Sequence, residues 1–326
     1  MTRRFRFRVV DVFTDRPLQG NPLAVFPEAE GLTDDEMQAV AREMNLSETS
    51  FVLPPTEAGR AAGADYHARF FTPGTELPFA GHPSLGTAFV LAQDGRFGAL
   101  SGKAIEVRQE LVVGVLPIRL DLDGDPPTIR NVTMTQAAPE LIQDLDEDEI
   151  DELCEALEVD RDALGWSDGP RGAVTAHPQV ISTGLAHLIV PFRDREVMDE
   201  VDRERIDDEL GDILAGQGAV AAALVAPGAW GAVPDAEASV RLLESAQLRI
   251  EVDPATGSAA GPIAVLLGQA LGVRDKTYRI VLEQGTEIDR PSRMVAEADF
   301  SADGHPGAVR VSGSVVSVIE GWLTLP

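Results

Sequence analysis

Two stretches of this chain place small residues and a reactive side chain at the entrance of an apolar run. The first, "ELPFAGHPSLG" at 76–86, sets His82 among glycines and prolines just before "TAFVLAQ"; the second, "VDPATGSAAGPIAVLLGQ" at 252–269, follows the same plan with Asp253-Pro254 where the first has Leu77-Pro78. Each loop leads into a helix, so several backbone amides have no intrahelical partner and the positive end of the helix dipole faces outward. Such an end suits an anion, and two of them facing a common cleft would hold a carboxylate and stabilise an enolate-like charge as it develops. Gly81 and Gly257 would admit a ligand close to the backbone, with Ser84 and Ser258 beside them.

The elements that must position these loops are legible along the chain. "LGTAFVLAQ" and "GPIAVLLGQALG" have almost no polar face, so each helix must be enclosed by protein on all sides, as a sheet curled around it would do. Shifting the sequence by 176 residues aligns Pro78 with Pro254, Gly81 with Gly257, Leu91 with Leu267 and Gln93 with Gln269, and a looser likeness links "GNPLAVF" (20–26) to "TGLAHLIVPF" (183–192). The chain therefore reads as a diverged tandem duplication, a plan that tends to put a site between its halves. "FRFRVVDVF" and "NPLAVF" form a hairpin across "DRPLQG". Thr33-Asp34-Asp35-Glu36 is a capping box opening a helix over 33–44 that Asn45 ends, and "LSETSFVLP" is the strand after it. The acidic run at 144–160 keeps Ile150, Leu153, Cys154 and Leu157 on one helical stripe, so its charges form a solvated face and Cys154 packs behind them.

Composition bounds the function. The 326 residues suit two domains, and 44% hydrophobic content supplies two cores. Acidic side chains number 54 against 27 basic ones, a balance that repels phosphate backbones and anionic membranes, so neither nucleic acid nor a membrane is an expected partner. Cys154 is the sole cysteine, which excludes internal disulfides, cysteine-cluster metal sites and two-thiol chemistry. The N-terminus alternates basic and apolar residues without the continuous apolar core of a secretion signal, and no run reaches membrane-helix length, so the expected compartment is the cytoplasm. No G-x-G-x-x-G both follows a strand and opens a helix, which argues against a dehydrogenase.

Taken together, "DVFTDRPLQGNPLAVF", "MNLSETSFV" (44–52), "RFFTPGTELPFAGHPSLGTA" (69–88), "DPATGSAAGP" (253–262), "EQGTEIDRPSRM" (283–294) and "VRVSGSVVSVIEG" (309–321) resemble the PhzF-like family of phenazine-biosynthesis-type isomerases over nearly the whole chain. The resemblance implies an α+β, diaminopimelate-epimerase-like fold: two similar domains, each a curled, mostly antiparallel sheet around a central helix, with the active site between them. The division expected is 1–125 and 126–308, the last strand (about 309–326) returning to the first domain. It further implies a cofactor-independent proton transfer at carbon, with no metal, on a small carboxylate-bearing metabolite. A homodimer suits the fold.

The family's catalytic carboxylate matches Glu48, and its histidine and aspartate positions match His82 and Asp253. The three are expected to converge on one cleft, with Ser47, Gly81, Ser84, Gly257 and Ser258 binding substrate. A carboxylate enclosed by protein has its charged form disfavoured, which suits Glu48 to shuttle a proton. His82 orients the substrate or assists a proton transfer. Asp253 binds an amine or hydroxyl, or serves as the partner acid. Each residue also has an ordinary reading when taken singly: Glu48 as a strand carboxylate, His82 as a packed or capping histidine, and Asp253 as an N-cap. His67, His177, His187 and His305 lack metal-ligand spacing and read as structural, and Arg69 and Glu76 as positioning the first loop. Diaminopimelate epimerase uses two cysteines in this cleft, a route closed to a chain with one. The competing function is a non-catalytic carboxylate-binding protein on the same fold.

Overall fold

The computed structural model describes residues 2–166, 176–202, 209–244 and 252–326. These hold β1 (Arg3–Val12), β2 (Asn21–Phe26), α1 (Asp34–Met44), β3 (Glu48–Leu53), α2 (Glu57–Ala61), β4 (Tyr66–Phe71), β5 (Glu76–Leu77), α3 (Gly81–Gln93), β6 (Ala104–Leu111), β7 (Gly114–Asp123), β8 (Thr128–Thr135), β9 (Glu140–Asp144) and α4 (Glu147–Leu157). They continue with β10 (Gln179–Ser182), β11 (Ala186–Pro191), α5 (Arg195–Glu200), α6 (Glu209–Gln217), β12 (Ala221–Pro227), β13 (Ala238–Glu244), α7 (Gly257–Ala270), β14 (Lys276–Gln284), β15 (Ser292–Phe300), β16 (Pro306–Gly313) and β17 (Val315–Leu325).

The fold is α+β, and it divides into two units. Residues 2–135 and 311–326 make the first; residues 136–247 and 252–310 make the second. The division falls at 135/136, ten residues beyond the expected 125/126, because the Gly-Asp-Pro-Pro stretch at 124–127 is the turn of the β7–β8 hairpin, in which Asp123 pairs with Thr128. In the first unit, β17 pairs along the whole of β1.

In the first unit the strands run β17-β1-β2-β3-β4-β6-β7-β8, every pair antiparallel except β2–β3 and β4–β6. β8 approaches β17, so the sheet curls back on itself around α3, which packs on β1, β2, β3, β4, β7, β8 and β17. In the second unit β9-β10-β11-β12-β13-β14-β15 repeats the same order of senses, with β11–β12 and β13–β14 parallel and the rest antiparallel. In both units the central helix sits in the crossover of the second parallel pair. α3 and α7 begin 176 residues apart, the offset read from sequence. Residues 81–92 of α3 and 257–268 of α7 are all buried, which is why neither sequence has a polar face.

Local signals explain the remaining elements. Thr33 and Glu36 close the capping box of α1, and Asn45 ends the helix in a left-handed conformation. Asp146 and Glu149 do the same for α4, whose acidic face is solvated while Leu153, Cys154 and Leu157 join a core with Leu188, Val190 and Phe192. Burial pushes the Cys154 thiol up, the opposite of what a nucleophile needs. Among the described residues no helix is long and apolar enough to cross a membrane.

Close packing of the curled sheet on α3 leaves no room at Gly86, where a Cβ would meet Leu23 Cδ2 at 2.6 Å and Val12 Cγ2 at 3.0 Å. Gly86→Ala is expected to cost about 1–3 kcal/mol through overpacking. Gly211→Ala, in α6 with no heavy atom of the described residues within 4 Å of the added carbon, is expected to be neutral or to gain roughly 0.5–1 kcal/mol. Urea unfolding of the two variants checks the opposite signs.

Candidate active site

In the first unit, three chain segments meet at the opening turn of α3. Asn21 is the first residue of β2, Glu48 the first of β3 and His82 the second of α3. The parallel register that pairs Leu23 with Glu48 brings the two strand starts together. Ahead of Asn21 the chain turns through Phe13, Leu18 and Gly20, all at positive φ. The buried Asp11 carboxylate accepts the Leu18 amide at 2.6 Å. Gly20 is required there, since a Cβ would lie 2.3 Å from the Val12 carbonyl oxygen. Side-chain bonds then pin the helix: Ser50 Oγ lies 2.7 Å from Thr87 Oγ1, and Gln109 Nε2 donates to Ser84 Oγ at 2.8 Å.

The structure brings Glu48 and His82 together. His82 Nδ1 lies 3.5 Å from Glu48 Oε2 and 3.2 Å from Asn21 Nδ2, and the histidine and glutamate side chains are 3% and 12% exposed. Burial pushes the imidazole down to about 3, against which a hydrogen bond to the Pro22 carbonyl acts weakly. The ring is therefore neutral at pH 7, so the two side chains do not form an ion pair. A neutral ring sets no positive charge beside Glu48, which would otherwise weaken it as a base. His82 Nε2 is buried without a hydrogen-bond partner among the described residues, so one polar atom of the pair is left for a ligand.

The second unit contains Asp253, in the loop before α7. Thr256 Oγ1 donates to Asp253 Oδ2 at 2.6 Å, and Gln284 Nε2 donates to the Asp253 carbonyl at 2.8 Å and to Thr256 Oγ1 at 3.0 Å. Gln284 Oε1 in turn accepts the Thr256 amide at 3.0 Å. The N-cap is Thr256, not Asp253, and its hydroxyl is spent on the aspartate. Gly285, at φ 77°, lets this loop close: a Cβ would lie 2.6 Å from the Pro254 carbonyl oxygen. At the first turn of α7, Gly257 O accepts Gln136 Nε2 at 2.9 Å and Ser258 Oγ lies 2.9 Å from His187 Nε2.

Neither central helix has a side chain capping its N-terminus; Ala80 has none to offer and Thr256 is turned away. By contrast Thr33, Thr56, Asp146 and Asp194 each accept from the first turns of α1, α2, α4 and α5. The two glycine-led turns thus lack the side-chain acceptor that the surface helices supply locally. Of the other residues read from sequence, Ser47, just before β3, is buried, as are Gly81 and Gly257 at these turns, while the Ser84 hydroxyl is committed to the Ala80 carbonyl at 2.8 Å and to Gln109. Arg69 holds Glu76 through two bonds of 2.7 Å and Asp34 through one of 2.6 Å, anchoring the strand before the first loop. Sequence reasoning read His187 as structural and did not single out Asn21, Gln136 or Gln284. Their signal was weak but present, since Asn21 and His187 lie in the internal repeat and Gln284 in the "EQG" string. Among the described residues no three His, Cys, Asp or Glu side chains are grouped as a metal site requires.

Comparison with known proteins shows the family. The family model of phenazine biosynthesis-like proteins matches residues 10–321. The chain belongs to this family. It is 33% identical to trans-2,3-dihydro-3-hydroxyanthranilate isomerase of Pseudomonas chlororaphis, over 97% of this chain and 98% of the relative. The crystal structure of a Bacillus anthracis phenazine biosynthesis protein of the PhzF family superposes with a TM-score of 0.77 at 25% identity, covering 98% and 99% of the two chains. A hydroxyproline epimerase from Agrobacterium vitis shares the fold at a TM-score of 0.63 and 12% identity, covering 99% and 93%. The protein is thus an isomerase of the family, built on the fold that the resemblance implied.

The neutral His82 has a measurable consequence. An unfolded histidine takes up its proton near pH 6.5, whereas the folded ring does so only near pH 3. Acidification across that window therefore favours the unfolded chain, by up to about 1.4 kcal/mol per pH unit for such a group. His82→Gln is expected to lose stability less steeply than wild type between pH 7 and pH 5 in urea unfolding. Equal slopes would mean that the ring takes up its proton in the folded state over the same pH range as in the unfolded chain.

Proposed function

We propose that the protein moves a carbon-bound proton on a small carboxylate-bearing metabolite without a metal or organic cofactor, with Glu48 as the base that takes the proton. The observation that carries this reading is the buried Glu48 carboxylate beside a neutral imidazole at an uncapped helix start. As the substrate C–H bond breaks, its electron pair spreads into the adjacent unsaturated system, and the amides of the glycine-led turns stabilise the negative charge that develops there. Glu48, now protonated, returns the proton to a different carbon or to the other face, so the step is an isomerisation or epimerisation with no change of oxidation state. His82 orients the substrate through its ring nitrogens. Asp253, held by Thr256 and Gln284, receives an amine or hydroxyl of the substrate or acts as the partner acid. Trans-2,3-dihydro-3-hydroxyanthranilate, for which the Pseudomonas relative is named, is the first compound to try.

Incubation in deuterated water with that compound and a panel of small cyclic and acyclic amino and hydroxy acids is expected to place deuterium at carbon in at least one of them. Glu48→Gln keeps the shape but cannot accept the proton, and is expected to lower exchange by at least a hundredfold with binding largely intact. His82→Ala is expected to reduce exchange less than Glu48→Gln does. Mass spectrometry reads the label. Tight binding without exchange would favour a carboxylate-binding protein; undiminished exchange in Glu48→Gln would move the base elsewhere, with Asp253 next to change. Treatment with a metal chelator is expected to leave exchange unaltered.

A further inference from the structure

We infer that His187 is a positioning residue for Ser258: its Nε2–H donates to Ser258 Oγ, leaving the serine hydroxyl as a hydrogen-bond donor at the opening turn of α7. His187 is the second residue of β11, an interior strand between β10 and β12, and is 2% exposed. Its Nε2 lies 2.9 Å from Ser258 Oγ, and its Nδ1 is buried without a hydrogen-bond partner among the described residues. Burial pushes this ring down to about 4, so at pH 7 it carries one proton, and two arrangements compete. With the proton on Nδ1, a buried N–H would be orphaned while Nε2 accepted from the serine. With the proton on Nε2, the donor is satisfied and only an acceptor lone pair is left over. Orphaned buried N–H groups are rarer than under-used acceptors, which selects the second arrangement.

The consequence falls on Ser258. Its oxygen accepts from the imidazole, so its own proton must find an acceptor elsewhere. A serine in a helix often gives that proton to the carbonyl four residues earlier, and Ser84 in α3 does so with Ala80 O. Ser258 makes no such bond: the described residues give it His187 alone, and the Pro254 carbonyl four residues before it is pressed against Gly285. The hydroxyl proton is therefore available to a ligand at the same turn whose amides are uncapped. Amides and hydroxyl are all donors, so the substrate group received there is an acceptor, a carboxylate or an oxyanion, and not an ammonium. The two units use a histidine in related places from opposite elements. Asn21 of β2 meets His82 of α3 in one, and His187 of β11 meets Ser258 of α7 in the other, with Ser258 standing 176 residues after His82.

The role in turnover rests on the proton-transfer reading; the protonation of the ring does not, and the test separates them. Protein labelled with 15N-histidine is examined by long-range proton–nitrogen correlation at pH 7, His187 being assigned by the signals that His187→Gln removes. The expected result is a ring protonated at Nε2 and bare at Nδ1; a ring protonated at Nδ1, or at both nitrogens, overturns the inference. In the deuterium-exchange assay His187→Leu is expected to slow exchange about five- to tenfold, the loss of roughly one hydrogen bond. His187→Gln, whose amide reaches about as far as Nε2, is expected to recover most of the rate. In a Ser258→Ala background His187→Leu should then do nothing more. A glutamine no better than leucine, or a leucine effect undiminished without the Ser258 hydroxyl, would show that His187 only packs. Absence of exchange in wild type would count against the proton-transfer reading, while the ring's protonation would still decide this one.

Discussion

A helix without a polar side can be buried only if everything around it is protein, and that constraint organises each half of this molecule. Enclosing α3 demands a sheet that curls through eight strands, and the helix start is where chain must enter from outside that wrapping. The free amides of a first turn are ordinarily satisfied by a capping side chain, as they are in α1, α2, α4 and α5. In α3 and α7 no side chain caps the first turn, and the residues set beside it are those with proton or hydrogen-bond chemistry: Glu48 and His82 in one unit, Asp253 and Ser258 in the other. Burial that stabilises the helix also strips water from the imidazole of His82, keeping it neutral beside a carboxylate. Packing and acid–base character thus have one cause.

The internal repeat shows how two similar units diverge in detail. Both have the same order of parallel and antiparallel pairings and the same helix placement. Yet the first commits Ser84 to its own backbone and to Gln109, while the second leaves Ser258 on His187. The first turns a carboxylate from a strand start toward the helix; the second holds its carboxylate in the loop, tied by Thr256 and Gln284. Each unit has a helix start without a side-chain cap, and the side chains around the two differ. The lone cysteine sits among Leu153, Leu157 and Leu188 in a core, so the chemistry available at these turns is that of carboxylates, imidazoles and hydroxyls.

Much of this was legible in the sequence because it is local. The capping boxes at Thr33 and Asp146, the β1–β2 hairpin and the apolar helices follow from neighbours within a few residues. The 176-residue offset was visible because both helix entrances need glycine and proline at the same steps. What escaped was carried by partners distant in the chain. Asn21 is 61 residues from His82, Gln284 is 31 from Asp253, and His187 is 71 from Ser258. An amide or imidazole on an apolar strand announces nothing until the pairing register sets it against a helix start. A proline-rich turn, conversely, looks the same in sequence whether it joins two strands of one hairpin or two domains. The resemblance to a family of isomerases supplied Glu48, which no local pattern distinguishes from an ordinary strand residue.

The central claim is that Glu48 works on carbon while a carboxylate is held by uncapped helix amides. A crystal structure of the protein with a bound aromatic carboxylate such as anthranilate, at pH 7, tests it most directly. The expected result is carboxylate oxygens within hydrogen-bond distance of first-turn amides of α3 or α7, and the Glu48 carboxyl facing a ring carbon. A ligand bound away from both helix starts, or with Glu48 turned from its carbon skeleton, would contradict it.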